Sequence, residues 1–451
     1  MGQLTGGVFL TGYALALHAN AMLIGLLAAL PLIVKLSQLY TSWYIERAGE
    51  WRRSALRSAF LSRFTLLLAA AIPFLFPDTI VEAWALATII FISSVAGSLF
   101  DLAYLTWMAE LIPESVRGEF LGKRSRLSGI IGQALALIAA FGLDNVRRRL
   151  GSDTGFALLF GIGALVGLVG LIVLRYVPAP RRAQSRVARP SIVSALTQPA
   201  RDPNYRRMLE FVGLWHFAIG LVGPFITVFM LRELRLSFLL VTALSVITNL
   251  VTSLTMTYWG QLGDHFGSKT ALRAGLYLVT FTTLIWFTIN PHNIWPIFVI
   301  QFTSGFGWAA YHANLNNLAL KLSLPDKRPS SMAALGAVQG TFEAVAPIVG
   351  GVLLSLVRAL GVSEFFSFYV LFAISFVLRA LATPLPARVF EPGGVPVGRM
   401  IRVMQRFRTM NVEQPLEPFF NLAYTHLARI ADFIARERND DGPGPRHRHA
   451  T

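Results

Sequence analysis

Twelve apolar stretches divide the chain, and most are close to the length that a helix needs to cross a lipid bilayer. A spanning helix takes about 20 mainly apolar residues, because the bilayer core offers no water to its backbone N–H and C=O groups. The sequence therefore predicts an all-α integral membrane protein with twelve transmembrane helices. The stretches lie near residues 3–19, 21–45, 57–77, 83–110, 119–142, 155–176, 206–231, 237–262, 270–290, 294–322, 330–358 and 364–383.

The composition is that of a chain whose surface faces lipid. Of the 451 residues, 54% are hydrophobic and 14% are charged, and the mean hydropathy is +0.56. Soluble proteins carry roughly 25% charged residues. The net charge of +16 comes mostly from basic residues in loops between the apolar stretches, so it indicates membrane topology rather than nucleic-acid binding.

The sequence contains none of the patterns that place chemistry in an enzyme. Cysteine is absent, which excludes disulfides and thiol chemistry. We find no phosphate-binding Gly-Lys-Ser/Thr loop, no nucleophilic serine elbow and no metal-ligating histidine pair one helical turn apart. We therefore expect a protein that is not an enzyme, with no catalytic residue, no metal site and no cofactor.

Lysine and arginine are concentrated in the loops that follow the even-numbered stretches. Loops rich in these residues stay in the cytoplasm. The bias predicts a multi-pass protein of the plasma (inner) membrane with both termini in the cytoplasm. The triplet Arg147–Arg149 is a local exception.

One motif occurs twice, about half the chain length apart. In SWYIERAGEWRR, Glu46 and Gly49 correspond to Asp264 and Gly267 of GQLGDHFGSK. Weak internal symmetry of this kind is typical of transporters built from repeats. We expect two pseudo-symmetric six-helix bundles, at residues 1–177 and 206–383. A Pro- and Arg-rich cytoplasmic linker at 178–205 joins them, and an amphipathic or disordered cytoplasmic tail follows at 384–451.

Both ends of the chain depart from this repeat. The first stretch is shorter than its counterpart near residue 206, which favours a start codon upstream of Met1 over a naturally short helix. In the tail, residues 397–410 and 418–438 are amphipathic, and the first segment suits a helix on an anionic membrane surface. The residues after 438 are rich in Asp, Gly, Pro and His and are expected to be disordered.

The second copy of the motif is specific enough to indicate a family. It reads Gly260-x-Leu262-x-Asp264-x-x-Gly267-x-Lys269 and resembles the cytoplasmic signature loop of the major facilitator superfamily. The resemblance covers nearly the whole chain. It implies the twelve-helix major facilitator fold and transport of a small solute by alternating access.

The residues of this loop suit a contact that breaks and re-forms. Glycines permit a tight turn, and a carboxylate at the membrane surface accepts hydrogen bonds from a helix N-terminus and a nearby Arg or Lys. In the first copy Ser42 and Glu46 replace Gly and Asp, which leaves open whether both copies contribute equally. The predicted conformational latch comprises Glu46, Gly49, Arg52, Gly260, Asp264, Gly267 and Lys269.

Ionisable side chains in the middle of the stretches are candidates for a substrate or proton pathway. A charge at the bilayer centre costs roughly 2.5–3.5 kcal/mol on insertion scales, so it tends to face the protein interior. Asp101 and Glu343 lie near mid-membrane and could each carry a proton; a purely structural carboxylate is the alternative. Lys35 could pair with either of them, in a contact that opens on binding or in a static ion pair.

Other polar residues complete the candidate pathway. His216 lies mid-depth and could act as a proton switch, with a hydrogen-bonded core histidine as the alternative. His312 and Asn316 share a helical face, and with Asn314 they could form a wall for a polar substrate or hold helices together. Gln133 and Asn249 are the remaining candidates.

The sequence thus predicts a secondary active transporter for a small solute, with proton coupling as a further hypothesis. We expect a monomer in contact with membrane lipids and not with nucleic acid. The alternative from another class is a non-transporting membrane scaffold or sensor that keeps this fold and acts through its C-terminal tail. Few charges and many aromatic residues indicate a moderately apolar or amphiphilic solute.

Overall fold

The computed structural model describes residues 2–36, 51–76, 79–178, 198–323, 328–392 and 397–398. The chain divides into two compact units, Met1–Gly394 and Val395–Thr451. The fold below is that of the first unit, whose described residues are helical with connecting turns and one isolated β-bridge. The predicted amphipathic and disordered parts of the tail, 399–451, lie outside the described residues, as do Glu46 and Gly49.

The first part of the unit consists of eight described helices. They are α1 (Gly2–Thr5), α2 (Gly7–Ala16), α3 (Ala21–Leu36), α4 (Trp51–Ala69), α5 (Ile72–Leu75), α6 (Thr79–Leu111), α7 (Glu114–Leu150) and α8 (Ser152–Leu174).

The second part contains seven described α-helices and a π-helical turn. The helices are α9 (Pro203–Gly220), α10 (Gly223–Val228), α11 (Phe238–Phe266), α12 (Ser268–Ile285), α13 (Pro296–Leu322), α14 (Arg328–Ala359) and α15 (Glu364–Ala382). The π-helical turn, Phe229–Glu233, continues α10. Within the described residues, each apolar stretch overlaps one helix or two consecutive helices.

Eight helical segments among the described residues are long and apolar enough to cross a membrane. Ala21–Val34 is apolar but shorter. These segments define an all-α, multi-pass membrane protein. The eight are Val81–Leu105, Phe120–Leu150, Ser152–Leu174, Pro203–Glu233, Phe238–Phe266, Ser268–Thr288, Ser330–Ala359 and Glu364–Arg388.

Among the described residues, three apolar stretches are broken where the sequence periodicity shows no interruption, and one of them is the stretch near 57–77, in which α4 ends at Ala69 and α5 begins at Ile72. The stretch near 206–231 ends its first helix at Gly220 and resumes at Gly223. Pro224 explains this break, because proline lacks an N–H and its ring clashes with the preceding turn of a helix. The stretch near 3–19 is broken at Gly6, whose backbone is extended (φ −130°, ψ −174°).

Helix pairing in the first part has counterparts in the second. In the first part, α4 packs on α6 and α8, and α3 packs on α6. In the second part, α12 packs on α13 and α15, and α11 packs on α13. Between the two parts, α3 packs along α14 and α7 packs on α11.

The contact between α3 and α14 is close enough to depend on glycine. The carbonyl oxygen of Pro347 lies directly against Gly25. A Cβ atom added to Gly351 would lie only 2.5 Å from the carbonyl oxygen of Ala21. A larger residue at either glycine therefore cannot be accommodated without moving one helix away from the other.

Aromatic side chains fill the core on both sides of this contact. Tyr13 stacks on Phe156 with ring centroids 5.2 Å apart and donates a hydrogen bond to the carbonyl of Ala69. In the second part, Phe229 is fully buried and packs on Phe368 among a wider group of rings. On the outside, large apolar side chains such as Ile138 are exposed, as expected of a surface that faces lipid rather than water.

Candidate functional site

A cavity of about 630 Å³ lies between the first and second parts of the unit. Residues of α2 and α3 line it on one side, and residues of α9, α10, α11, α13 and α14 line it on the other. Most of the lining is glycine, alanine, proline or aliphatic. Its volume is within the range of roughly 300–1,000 Å³ that is usual for small-molecule sites.

Glu343 is the one ionisable residue among the described residues that line the cavity. Its side chain, on α14, is 34% exposed, whereas that of its partner His216, on α9, is 7% exposed. The two groups meet over 2.7 Å between His216 Nδ1 and Glu343 Oε1. The sequence indicated each residue separately as a pathway candidate, and the fold brings the two side chains into contact.

Two further groups fix the state of the His216 ring. Nε2 lies 2.6 Å from the Tyr311 hydroxyl and 3.2 Å from the amide nitrogen of Gln339. With the Gln339 amide nitrogen, which can only donate, placed toward Nε2, Nε2 is the acceptor and Nδ1 carries the ring proton. In this arrangement the Nδ1–H group of His216 donates to the Glu343 carboxylate, and the cluster carries one negative charge when that carboxylate is ionised.

Aromatic rings from α13 connect this cluster to the cavity wall. Trp308 lines the cavity and packs edge-on against Tyr311, with centroids 5.5 Å apart. His312 is exposed and stacks on Trp308 at 5.6 Å. Trp215, fully buried beside His216, stacks on Tyr311 at 6.0 Å.

Asp101 and Lys35 are placed differently from Glu343. Asp101 is exposed on α6, where it interacts electrostatically with Arg63 of α4, and it is not among the cavity-lining residues. Lys35 belongs to α3, one turn beyond the cavity-lining Pro31 and Leu32, but its side chain lies outside the described part of the chain.

The amide candidates occupy several environments. Asn314 is fully buried and donates hydrogen bonds to the carbonyls of Trp259 on α11 and Ala310 on its own helix. Asn316 and Asn249 are exposed. Gln133 on α7 has a buried side-chain oxygen without a hydrogen-bond partner among the described residues. None of these four lines the cavity in the part of the chain that is described.

In the second signature loop, the carboxylate bound at the helix N-terminus is not the one the motif indicates. Glu391 accepts hydrogen bonds from the backbone N–H groups of Ser268 and Lys269, at 2.9 and 2.8 Å. Its side chain is 2% exposed and also binds Lys321 Nζ at 3.2 Å. Asp264 is exposed and has no hydrogen bond or ion pair within the described ranges.

Other latch residues have structural roles in the described chain. Gly267 precedes α12 with φ +96°, a conformation that favours glycine. Lys269 donates from Nζ to the carbonyl of Val389 at 2.9 Å. Gly260 has open space where a side chain would be. In the first copy, Arg52 donates to the carbonyls of Arg175 and Val177 just after α8.

A further contact joins the two parts of the unit at the start of α11. The Asp144 carboxylate, on α7, accepts hydrogen bonds from the backbone N–H groups of Phe238 (3.1 Å) and Leu239 (2.9 Å). The Arg147 guanidinium lies 4.9 Å from the centre of the Phe238 ring, and that ring lies against Gly12 of α2. A carboxylate at this position satisfies free N–H groups and interacts favourably with the helix dipole.

Sequence reasoning missed Tyr311 and Gln339 as partners of His216, and Asp144 and Glu391 as helix caps. A signal existed for Asp144, an acidic residue at the end of an apolar stretch just before a basic triplet. No local signal links Gln339 or Glu391 to its partners, since these contacts join residues 123 positions apart.

Solved structures with a similar fold are transporters. A mutant of the nucleoside transporter NupG is similar with a TM-score of 0.68 and 14% identity, covering 85% of this chain and 96% of that chain. A bacterial homolog of the human lysosomal transporter Spinster, inward-facing and occupied, is similar with a TM-score of 0.64 and 13% identity, covering 86% of this chain and 95% of that chain. No curated protein matches the chain significantly.

The apolar helices, together with a family match and the similar solved structures, support a multi-pass membrane transporter. A sequence model of the Major Facilitator Superfamily matches residues 212–425. This is the family that the signature loop resembles.

Proposed function

We propose that the chain is a secondary active transporter that moves a small solute across the plasma membrane by alternating access, with proton coupling at Glu343. The observation that carries the proposal is the Glu343–His216 contact at the edge of a cavity between the two parts of the fold. A cavity near the midplane, formed where two repeats meet, is the usual substrate site of such transporters.

The proposed architecture is twelve transmembrane helices in two six-helix bundles, residues 1–177 and 206–383, joined by a linker at 178–205. The matching pairs, α4 with α6 and α12 with α13, support it. A second matching set also supports it: α3 pairs with α6 in the first part, and α11 pairs with α13 in the second. Both termini are proposed to be cytoplasmic, and the protein is proposed to act as a monomer.

Proton coupling is proposed to use the Glu343–His216 pair. With neutral His216 the pair is negative, and one added proton makes it neutral, so the charge facing the cavity changes in a single step. Tyr311 and His312 on α13 interact electrostatically with Glu343, and Lys35 lies on α3, which packs along the same helix. Asp101 stays a second candidate for the coupling residue. It ranks below Glu343 because it interacts with Arg63 and is not among the residues that line the cavity.

Alternating access requires contacts that break on each side in turn. We propose the Asp144 cap of α11 as one such contact between the bundles. At the signature loop, Asp264 and the rest of the predicted latch stay candidates for the cytoplasmic contact. Glu391 supports a fixed start of α12, because its bonds lie within the second part of the fold.

Membrane vesicles with an imposed pH gradient test this proposal. The parent protein is expected to move at least one of a panel of labelled amphiphilic solutes in a gradient-dependent manner. Glu343→Gln is expected to lose the gradient dependence and to keep exchange in the absence of a gradient. Glu210→Gln is the matched control, since this carboxylate on α9 is 62% exposed and, in the described part of the chain, pairs with Arg206 at 3.5 Å.

Asp101→Asn separates the two carboxylates. Gradient dependence lost in this variant and kept in Glu343→Gln would move proton coupling to Asp101. If both neutral variants transport like the parent, proton coupling at these sites is wrong.

A further inference from the structure

We infer that the cavity selects amphiphilic organic monocations, with Glu343 as their counter-ion. This inference rests on the proposed function, because it names the substrate class of the same cavity. It starts from the charge of the described lining, which contains one carboxylate and no basic group.

The negative charge of Glu343 is not cancelled by its hydrogen-bonding partners in the described chain. The neutral His216 ring contacts the carboxylate directly. The Tyr311 hydroxyl and the Gln339 amide contact His216 in turn. They orient the carboxylate and share its charge, but none of them carries a positive charge in this arrangement. A partly buried charge without a counter-ion is costly, so a cationic ligand that completes the pair is favoured.

The rest of the lining suits an apolar body attached to that cation. Aliphatic side chains of α2 and α3, such as Leu10 and Leu27, form the wall contributed by the first part of the fold. Trp308 lies on the same side as Glu343, on the neighbouring helix, and offers an aromatic face for a cation. Besides Glu343 and the indole N–H of Trp308, the polar side chains of the described lining are the hydroxyls of Thr11, Thr227 and Ser245, too few to satisfy a sugar-like solute with a hydroxyl on every carbon.

The test uses two ions of the same shape and opposite charge. Tetraphenylphosphonium is a cation and tetraphenylborate an anion, and each carries four phenyl rings around one central atom. Binding of each labelled ion to the purified full-length protein in detergent is measured at equilibrium near neutral pH. The parent is expected to bind the phosphonium at least about tenfold more tightly than the borate, the ratio that one desolvated charge contact supplies.

Variants assign the preference to one carboxylate. Glu343→Gln is expected to lose at least about tenfold in phosphonium affinity, whereas Glu343→Asp keeps the preference for the cation. Glu210→Gln is expected to bind like the parent. Elution as a single species in size-exclusion chromatography shows that each variant is folded.

Three outcomes would overturn the inference. The first is tighter binding of the borate than of the phosphonium by the parent. The second is unchanged phosphonium binding in folded Glu343→Gln. The third is phosphonium binding that appears only after Lys35→Gln, which would mean that Lys35 neutralises the site in the parent. The binding assay uses no pH gradient, so a negative binding result does not contradict coupled transport in vesicles. Likewise, a negative transport result in vesicles does not contradict the preference for cations.

Discussion

The backbone N–H of Phe238 donates a hydrogen bond to the Asp144 carboxylate over 3.1 Å, although the two residues lie 94 positions apart. The same carboxylate binds the next backbone N–H, that of Leu239. A side chain of the first part of the unit thus caps the first turn of α11 in the second part. Ser237, by contrast, caps the same helix from its own chain segment, by accepting from the N–H of Leu240.

Removal of the Asp144 cap is expected to favour separation of the two parts at this end of the cavity. A helix cap contributes about 0.5–2 kcal/mol, and this one exists only while α7 and α11 touch. In Asp144→Ala, a cysteine introduced at the cavity-lining position Ala28 should react several-fold faster with an impermeant thiol reagent added on the side of the Ser237 loop. Ser237→Ala is the control. Its cap lies within the second part of the fold, so it is lost equally whether α7 and α11 touch or separate. The labelling rate of this variant should stay that of the parent.

Close packing of α3 on α14 gives a second expectation. Gly351→Ala places a methyl group 2.5 Å from the carbonyl oxygen of Ala21, and overpacking of this kind costs about 1–3 kcal/mol. The midpoint of thermal unfolding in detergent should therefore fall. Gly336→Ala, on the same helix with nothing within 4 Å of the added Cβ, should leave the midpoint unchanged or raise it. Equal effects of the two substitutions would contradict the close approach.

The state of His216 can be measured directly. With Nε2 accepting from Tyr311 and Gln339, the ring is expected to be neutral with its proton on Nδ1. Nitrogen NMR of protein labelled at histidine, assigned by comparison with His216→Asn, distinguishes this tautomer from the alternative and from the imidazolium. A doubly protonated ring near neutral pH would cancel the charge of Glu343 and contradict a cluster with one negative charge.

The Glu391 contact predicts a boundary between dispensable and required C-terminal residues. Truncation after Gly394 keeps Glu391 and should leave transport and thermal stability close to those of the full chain. Glu391→Gln removes the charge from three hydrogen bonds in a buried site, and each charge-assisted bond contributes about 1.5–3 kcal/mol. The variant should unfold at a clearly lower temperature. Loss of transport after truncation, with stability intact, would instead favour the scaffold or sensor that acts through its tail.

The helical architecture was predictable because bilayer thickness fixes the length of an apolar helix. Apolar stretches of this length predicted the helices, and the signature loop around Gly267 predicted the family. The break before Pro224 and the interruption at Gly6 were not predicted, because apolar periodicity carries no information about backbone geometry at single residues. The outer ends of α7 were also missed, since its polar first and last turns extend beyond the apolar stretch 119–142.

The site was predicted residue by residue but not as an assembly. Mid-membrane depth singled out His216 and Glu343, and depth follows from position along a helix. Their contact depends on how α9, α13 and α14 rotate about their axes, which is set by tertiary packing between residues 127 positions apart. Asp101 was predicted by the same depth argument, but its carboxylate interacts with Arg63. Depth does not specify which way a side chain points.

Access to the cavity from both sides of the membrane is the central expectation of this account. The natural chain lacks cysteine, so Ala28→Cys provides a single reactive thiol at the cavity wall. An impermeant thiol reagent applied to one face of oriented vesicles, and in a separate sample to the other, is expected to label this cysteine from both faces, with Asp144→Ala accelerating labelling from one face only. Labelling from a single face under all conditions, or from neither, would contradict alternating access through this cavity.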